Sequence, residues 1–205
     1  RKLSRIQNYS QQSFAATSRI YKLLDTHTEK LDRAGAIELA PLADRIEFKK
    51  VSFKYQDSND WILRDVTIDV HRGEVVALVG LSGAGKSTLT NLLMRFYDPT
   101  EGTILIDGSD IQGAKLASLR RQIALVTQEV ILFNDSIINN IAYGGAEFGR
   151  ERIESAARAA YAHDFIVERG GYDTVIGERG VKLSGGERQR IAIARAILKD
   201  TPILI

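Results

Sequence analysis

The sequence predicts an α/β fold: a core with a mainly parallel sheet, a small antiparallel β subdomain and a helical subdomain, preceded by an N-terminal helix. Three observations carry this. Two alternating apolar stretches, "IEFKKVSFKY" and "WILRDVTIDV", flank the turn "QDSND", as an antiparallel pair requires. Two continuous apolar runs, "VVALVG" and "IALVTQ", read as strands buried on both faces, the habit of parallel sheets. Helical patterns alternate with those runs, and such alternation builds a parallel core by right-handed crossovers.

Along the chain, Leu3, Ile6, Phe14, Ile20, Leu23 and Leu24 recur loosely among polar residues, predicting one long, partly exposed helix over residues 1–26. Its basic start, Arg1, Lys2 and Arg5, suits either a helix leaving the cytoplasmic side of a membrane or an ordinary solvated helix end. Residues 27–44 are polar, with one Gly and one Pro, and read as a linker; the domain proper spans 45–205. In its first strand Ile46 and Phe48 alternate, then Val51, Phe53 and Tyr55, and the slip at Lys49-Lys50 predicts a bulge. Ile62, Val66, Ile68 and Val70 are the apolar positions of the second strand. "TLTNLLMRFY" reads as a helix stopped by "DPTEG", "TILIDG" as a strand with an Asp-Gly turn, and "KLASLRRQ" as a short helix. Further helices are expected near "SIINNIAY", "ERIESAARAAYAHDFIVER" and "GERQRIAIARAILKD", then a strand at "PILI".

Composition narrows the function. Lys+Arg 28 against Asp+Glu 26 is too balanced for a dedicated nucleic-acid binder. With no cysteine, disulfides, thiolate catalysis and Cys-held zinc are excluded, so any metal must sit on oxygen or imidazole. No run reaches the roughly 18 apolar residues of a spanning helix, and the start lacks the apolar centre of a signal peptide. No methionine opens the chain and "TPILI" breaks off within an apolar run, so the polypeptide is expected to continue on both sides.

Between "EVVALV" and "LTNLLMRFY" stands "GLSGAGKST", residues Gly80 to Thr88. Gly80, Gly85, Lys86 and Ser87 fit the P-loop pattern G-x-x-x-x-G-K-[ST]. Glycines at Gly80, Gly83 and Gly85, with small Ser82 between them, let successive N–H groups turn inward as an anion nest, and the following helix adds its positive end. Lys86 supplies a point charge to the β- and γ-phosphates of a nucleoside triphosphate, Ser87 is placed to ligate Mg²⁺, and Thr88 begins the helix proper. A glycine turn that binds nothing is the bland alternative, but the four fixed positions coincide by chance in well under about one chain in a hundred.

A second stretch, "LSGGERQR", Leu183 to Arg190, sets a serine and two glycines ahead of a helical run. Ser184 can cap that helix, and Gly185 and Gly186 let an anion approach its amides. Alone, this would be a plain capped helix. It lies about a hundred residues after the P-loop, with Gln128 closing a buried strand between them, and in this the chain resembles the ATP-binding cassette (ABC) family from Arg45 to Ile205.

The resemblance implies roles. Tyr55 would stack on adenine; Gln128 would reach Mg²⁺ and the attacking water while its loop meets the membrane domain; Ser184 and Gly186 would contact the γ-phosphate held by a second copy. Lys86, Gln128 and Ser184 are thus the catalytic candidates, and two ATP molecules would lie between two cassettes, most simply a homodimer. "DTVIGERG", Asp173 to Gly180, resembles the X-loop of exporters, with Glu178 as its acidic residue. Together with "LASLRRQIALVTQEVILFNDSIINNIAYG" the wording resembles that of the MsbA group of bacterial lipid exporters. Residues 1–26 would then be the cytoplasmic end of the last transmembrane helix of the same polypeptide, at the cytoplasmic face of the bacterial inner membrane, with a lipid or other hydrophobic cargo.

In the family a Mg²⁺-binding aspartate, a general-base glutamate and a switch histidine follow the last apolar strand, beyond Ile205, so residues 1–205 are expected to bind ATP without turning it over. Glu187 is the signature's own acidic residue, not the base, and His27, His71 and His163 read as surface residues. A soluble ABC ATPase of DNA repair or translation, a multidrug exporter, a non-hydrolysing ATP-binding module and, least, a P-loop kinase stay open.

Overall fold

The computed structural model describes residues 11, 13, 14, 16–22, 24, 25, 32–56, 58–143 and 148–205. The expectations for Leu3, Ile6, Leu23, His27 and the basic start lie outside them. The chain divides into two compact units, Arg1–Leu31 and Asp32–Ile205. In the first, every described residue between 11 and 24 is helical, and Phe14, Ile20, Tyr21 and Leu24 are exposed. Among the described residues no helix is long and apolar enough to cross a membrane.

The second unit opens with an antiparallel sheet. Strand β1 (Arg45–Phe53) pairs with β2 (Leu63–His71) on one side and β3 (Glu101–Ile106) on the other, and β3 continues into β4 (Ser109–Asp110). The slip at Lys49-Lys50 is a bulge: the register of both pairings shifts after it, and Lys50 takes φ 50°. Gly102 faces it across the sheet at φ +79°, where a Cβ would collide with the carbonyl oxygens of Lys49 and Lys50. Asp107 and Gly108 turn β3 into β4 with both φ positive, the primed geometry that an Asp-Gly pair favours. The Asp107 carboxylate accepts the N–H groups of Ala43, Asp44 and Arg45 at 2.6, 2.9 and 2.8 Å, which fixes where β1 starts.

Helix α1 (Lys86–Leu93) packs under this sheet, its Leu89, Leu92 and Leu93 joining Val51, Phe53, Ile104, Ile106 and Ile111 in one core. It stops at Arg95, which turns left-handed (φ 54°) and sends its almost wholly buried guanidinium to the carbonyls of Ile111 and Ala114, with Asp98 at 3.3 Å. The helix therefore ends short of "DPTEG". Helix α2 (Leu116–Arg121) leads into β5 (Ile123–Ala124), which pairs in parallel with β6 (Ile203–Leu204).

The second half of the segment read as linker is seated on the domain. Leu39 and Leu42 are buried, the Leu39 and Leu42 amides bond to Ser118 Oγ and Gln122 Oε1, and Gln122 Nε2 returns a bond to Ala40 O. Ile37 forms a parallel bridge with Ala114.

A helical subdomain has its own core. Helices α3 (Ile137–Ala142), α4 (Arg150–Ala159), α5 (His163–Glu168) and α6 (Gly185–Lys199) enclose Ile137, Ile141, Ile153, Ile166, Ile176 and Ile191. Ala157 and Ala194, both fully buried, let α4 and α6 approach closely. The single helix expected over "ERIESAARAAYAHDFIVER" is two, because Tyr161 adopts φ 54° and breaks it.

Two strand expectations fail locally: of "IALVTQ" only Ile123 and Ala124 form strand, and the earlier apolar run forms none. The run 75–80, read as a strand buried on both faces, forms no ladder, and Val75 and Val79 are 99% and 88% exposed. A strand of that kind exists only between hydrogen-bonded neighbours. Among the described residues none pairs with it, and β5 and β6 pair only with each other.

Candidate functional site

The glycine loop is shaped by backbone geometry that only its residue types allow. Gly80, Gly83 and Gly85 have φ of 156°, 83° and 85°. Gly85 caps α1 in the left-handed conformation, and a Cβ there would lie 2.6 Å from Leu63 Cδ2 and 3.1 Å from Ile62 O. The loop thus sits directly on the start of β2. Ser82 and Gly83 are exposed, and a Cβ on Gly83 would meet nothing within 4 Å, so one side of the loop is open.

Lys86 curls back over this loop. Its Nζ donates to the carbonyl oxygens of Gly80 at 2.9 Å and Leu81 at 2.8 Å. An ammonium held there by uncharged carbonyls gains when anionic phosphate oxygens share it, because opposite charges then meet at short range. The first turn of α1 leaves its amides without partners in the helix, which is what an anion needs. Ser87 is exposed beside them, whereas Thr88 turns inward and its Oγ1 lies 3.3 Å from the Tyr55 hydroxyl. Tyr55 is half-buried, packed edge-on between Phe53 (5.0 Å between ring centres) and Tyr97 (5.2 Å). So the structure joins Tyr55 to the glycine loop through the α1 helix.

Gln128 and the signature belong to a second group. Gln128 is exposed and lines an 800 Å³ recess with Glu129, Glu178, Arg179, Gly185 and Arg188. Gly185 and Gly186 are exposed at the start of α6, whose N-cap is Ser184. The cap is reciprocal: Ser184 Oγ accepts Glu187 N–H at 3.3 Å and Glu187 Oε2 accepts Ser184 N–H at 2.7 Å.

Glu187 is further bound by Arg169, Nε to Oε1 at 2.8 Å and Nη2 to Oε2 at 3.0 Å. The Arg169 guanidinium, with help from the Ser184 backbone amide and against some burial, lowers the Glu187 carboxyl to about 2. Sequence reasoning missed Arg169, since nothing in "VERGG" marks an arginine that reaches a turn 18 positions away. It also misjudged His163, which is half-buried with Nδ1 2.8 Å from the hydroxyl of the buried Tyr172. His71 is exposed at the end of β2, 3.8 Å from Asp44.

The glycine loop carries the donors that the phosphates of a nucleotide need. Among the described residues no cluster of three or more His, Asp or Glu could hold a metal by itself. Ser87 offers an exposed hydroxyl beside the loop, which suits Mg²⁺ arriving on phosphate oxygens with waters still attached, and Gln128 offers an exposed amide in the second group.

Comparison with known proteins places the family. The sequence profile of the family described as "ABC transporter" matches residues 63–205. The ATP-dependent lipid A-core flippase of Syntrophus aciditrophicus is 53% identical over 206 residues, covering 100% of this chain and 34% of that protein. The flippase of the same description from Escherichia coli K12 is 51% identical over 205 residues, covering 99% and 35%. A solved structure described as a bacterial Atm1-family ABC exporter with ATP bound superposes with a TM-score of 0.88 at 47% identity, covering 95% of this chain and 34% of that one. The chain spans about a third of the length of these relatives. With its glycine loop, its capped signature helix and matches of this extent, the chain belongs to the ABC transporter family.

Proposed function

We propose that this chain is the nucleotide-binding part of an ABC exporter, coupling ATP binding and hydrolysis at a dimer interface to the export or flipping of a lipid across the bacterial inner membrane. The observation that carries the reading is the pairing, on one chain, of two helix starts with open amides, one beside Lys86 and one beside Ser184.

In this reading Gly80, Ser82, Gly83, Gly85 and Lys86 wrap the phosphates, Ser87 and Gln128 hold Mg²⁺, Thr88 steadies the helix start, and Tyr55 meets the adenine. The metal would neutralise charge on the β- and γ-phosphates. Ser184, Gly185 and Gly186 of a second copy approach the γ-phosphate, so ATP joins two copies and hydrolysis releases them. Gln128 and Glu178 share one recess, which would carry closure to the transmembrane domain of the same polypeptide. Residues 1–26 would be the cytoplasmic end of its last transmembrane helix, and 27–44 a linker whose second half docks on the domain at 45–205.

Lipid cargo is supported by relatives described as lipid A-core flippases at just over half identity. The Atm1-family neighbour at 47% identity favours a second reading, an exporter of another cargo. Turnover in vesicles separates them: stimulation by a lipid A-type glycolipid supports the first, and indifference to it the second. ATP-driven association, followed by sedimentation, tests the shared mechanism. It should vanish in Lys86→Ala and Ser184→Arg, and association that survives Ser184→Arg would contradict it.

A further inference from the structure

The start of α6 contains an electrostatic conflict. The amides of Gly185 and Gly186 are open and, on the reading above, meet a phosphoryl group, yet Glu187 places a carboxylate in the same first turn. That carboxylate suits the cap and the helix dipole, but it repels any second anion brought to the same amides. A glutamate is ionised at physiological pH, and Arg169 with the Ser184 amide holds this one lower still, at about 2, so the repulsion is present whenever the site works.

Arg169, the residue that ends α5, supplies the balance. Its fork takes both oxygens of Glu187, while Nη1 donates to Lys182 O at 2.9 Å, so one side chain grips the turn 182–187 on both sides of Ser184. The Glu187 side chain is 15% exposed and that of Arg169 40%, so the pair is partly shielded from solvent. The next cation along, Arg188, is directed to Leu183 O at 2.7 Å instead.

We infer that Arg169 is a positioning residue for the Ser184–Gly186 helix start: it neutralises and holds Glu187, leaving the amides free to accept a phosphate. This rests on the proposed γ-phosphate contact. A glutamine at position 187 would keep the reciprocal cap, since capping boxes accept Glu or Gln, and would need no cation. The two positions are therefore coupled: loss of Arg169 harms ATP use only while residue 187 is an acid.

The test measures KM for ATP and kcat of the intact polypeptide for Arg169→Met, Glu187→Gln and the double variant. Arg169→Met should raise KM for ATP about tenfold, with the defect shrinking as salt screens the unpaired carboxylate. Glu187→Gln and the double variant should stay within about twofold of the unsubstituted protein. A purely structural role would not be rescued by Glu187→Gln, so a double variant as impaired as Arg169→Met overturns the inference. Should Arg169→Met fail to fold, the double variant must still fold and use ATP normally, and its failure overturns it equally. Ser184→Arg in the same assay separates the two readings. A silent Ser184→Arg overturns the γ-phosphate contact and the Arg169 role together, whereas loss of activity in Ser184→Arg beside an additive cycle overturns the Arg169 role alone.

Discussion

Replacing Gly85 with alanine should destabilise the domain by about 3 kcal/mol and dislodge the phosphate loop. Two terms add. At φ +85° an L-residue loses about 1 kcal/mol to its own backbone, the low end of the left-handed penalty. The new methyl also presses on Leu63 Cδ2 and Ile62 O, and overpacking of this kind costs about 1–3 kcal/mol. Leu63 is buried in the core, so it has nowhere to swing. Gly83 provides the control, because its φ is +83° but a Cβ there meets nothing within 4 Å. Only the backbone term, about 1 kcal/mol, should apply. For a domain of this size the midpoint of thermal unfolding should fall by about 6–12 °C in Gly85→Ala and about 2–4 °C in Gly83→Ala. Calorimetry or circular dichroism reads the shift, and ATP titration reads the loop. Equal shifts for the two alanines would refute the claim that β2 packs against the loop at Gly85.

Gly102→Ala should lower the unfolding midpoint at least as far as Gly85→Ala, because the atoms it meets are backbone carbonyls of the bulge that cannot rotate away. Burial acts to raise the Asp107 carboxyl, but the N–H groups of Ala43, Arg45 and Asp44 outweigh it and hold it below the ordinary 3.8. A folded pKa below the unfolded one stabilises above the unfolded value, so this contribution should be present above about pH 4 and lost as pH falls further. Asp107→Ala should cost about 1–2 kcal/mol at pH 7, discounted because the group is solvent-exposed, and progressively less as the pH is lowered below about 4, as paired denaturant titrations would show. Tyr55→Leu should weaken ATP about tenfold while Tyr55→Trp largely preserves it, since base stacking is worth about 1–3 kcal/mol; equal affinities would remove Tyr55 from the base site.

What could be read in advance were features written in neighbouring residues. The Lys49-Lys50 slip marked the bulge, Asp107-Gly108 the primed turn, Ser184 the cap, and the glycine spacing the loop. What escaped depends on residues far apart in sequence. Arg169 meets Glu187, Gln122 anchors residues 39–42, and His163 finds Tyr172 only once the helices have packed. The run 75–80 shows the same limit from the other side, because its apolar residues state a preference for burial but a strand also needs neighbours to bond with. Tyr161 and Arg95 ended helices where composition favoured continuing them, since a left-handed residue without glycine carries no local signal.

Mixing two inactive variants tests the central claim most directly. If the Lys86 loop of one copy works with the Ser184 helix start of another, dimers joining a Lys86→Ala copy to a Ser184→Arg copy contain one site with both parts intact. Co-expressed variants of the intact polypeptide should then recover ATP turnover, up to about a quarter of the unsubstituted level for random pairing. Were both elements to serve the same copy's nucleotide, the mixture would stay as inactive as either variant alone, and the shared-site account would be contradicted.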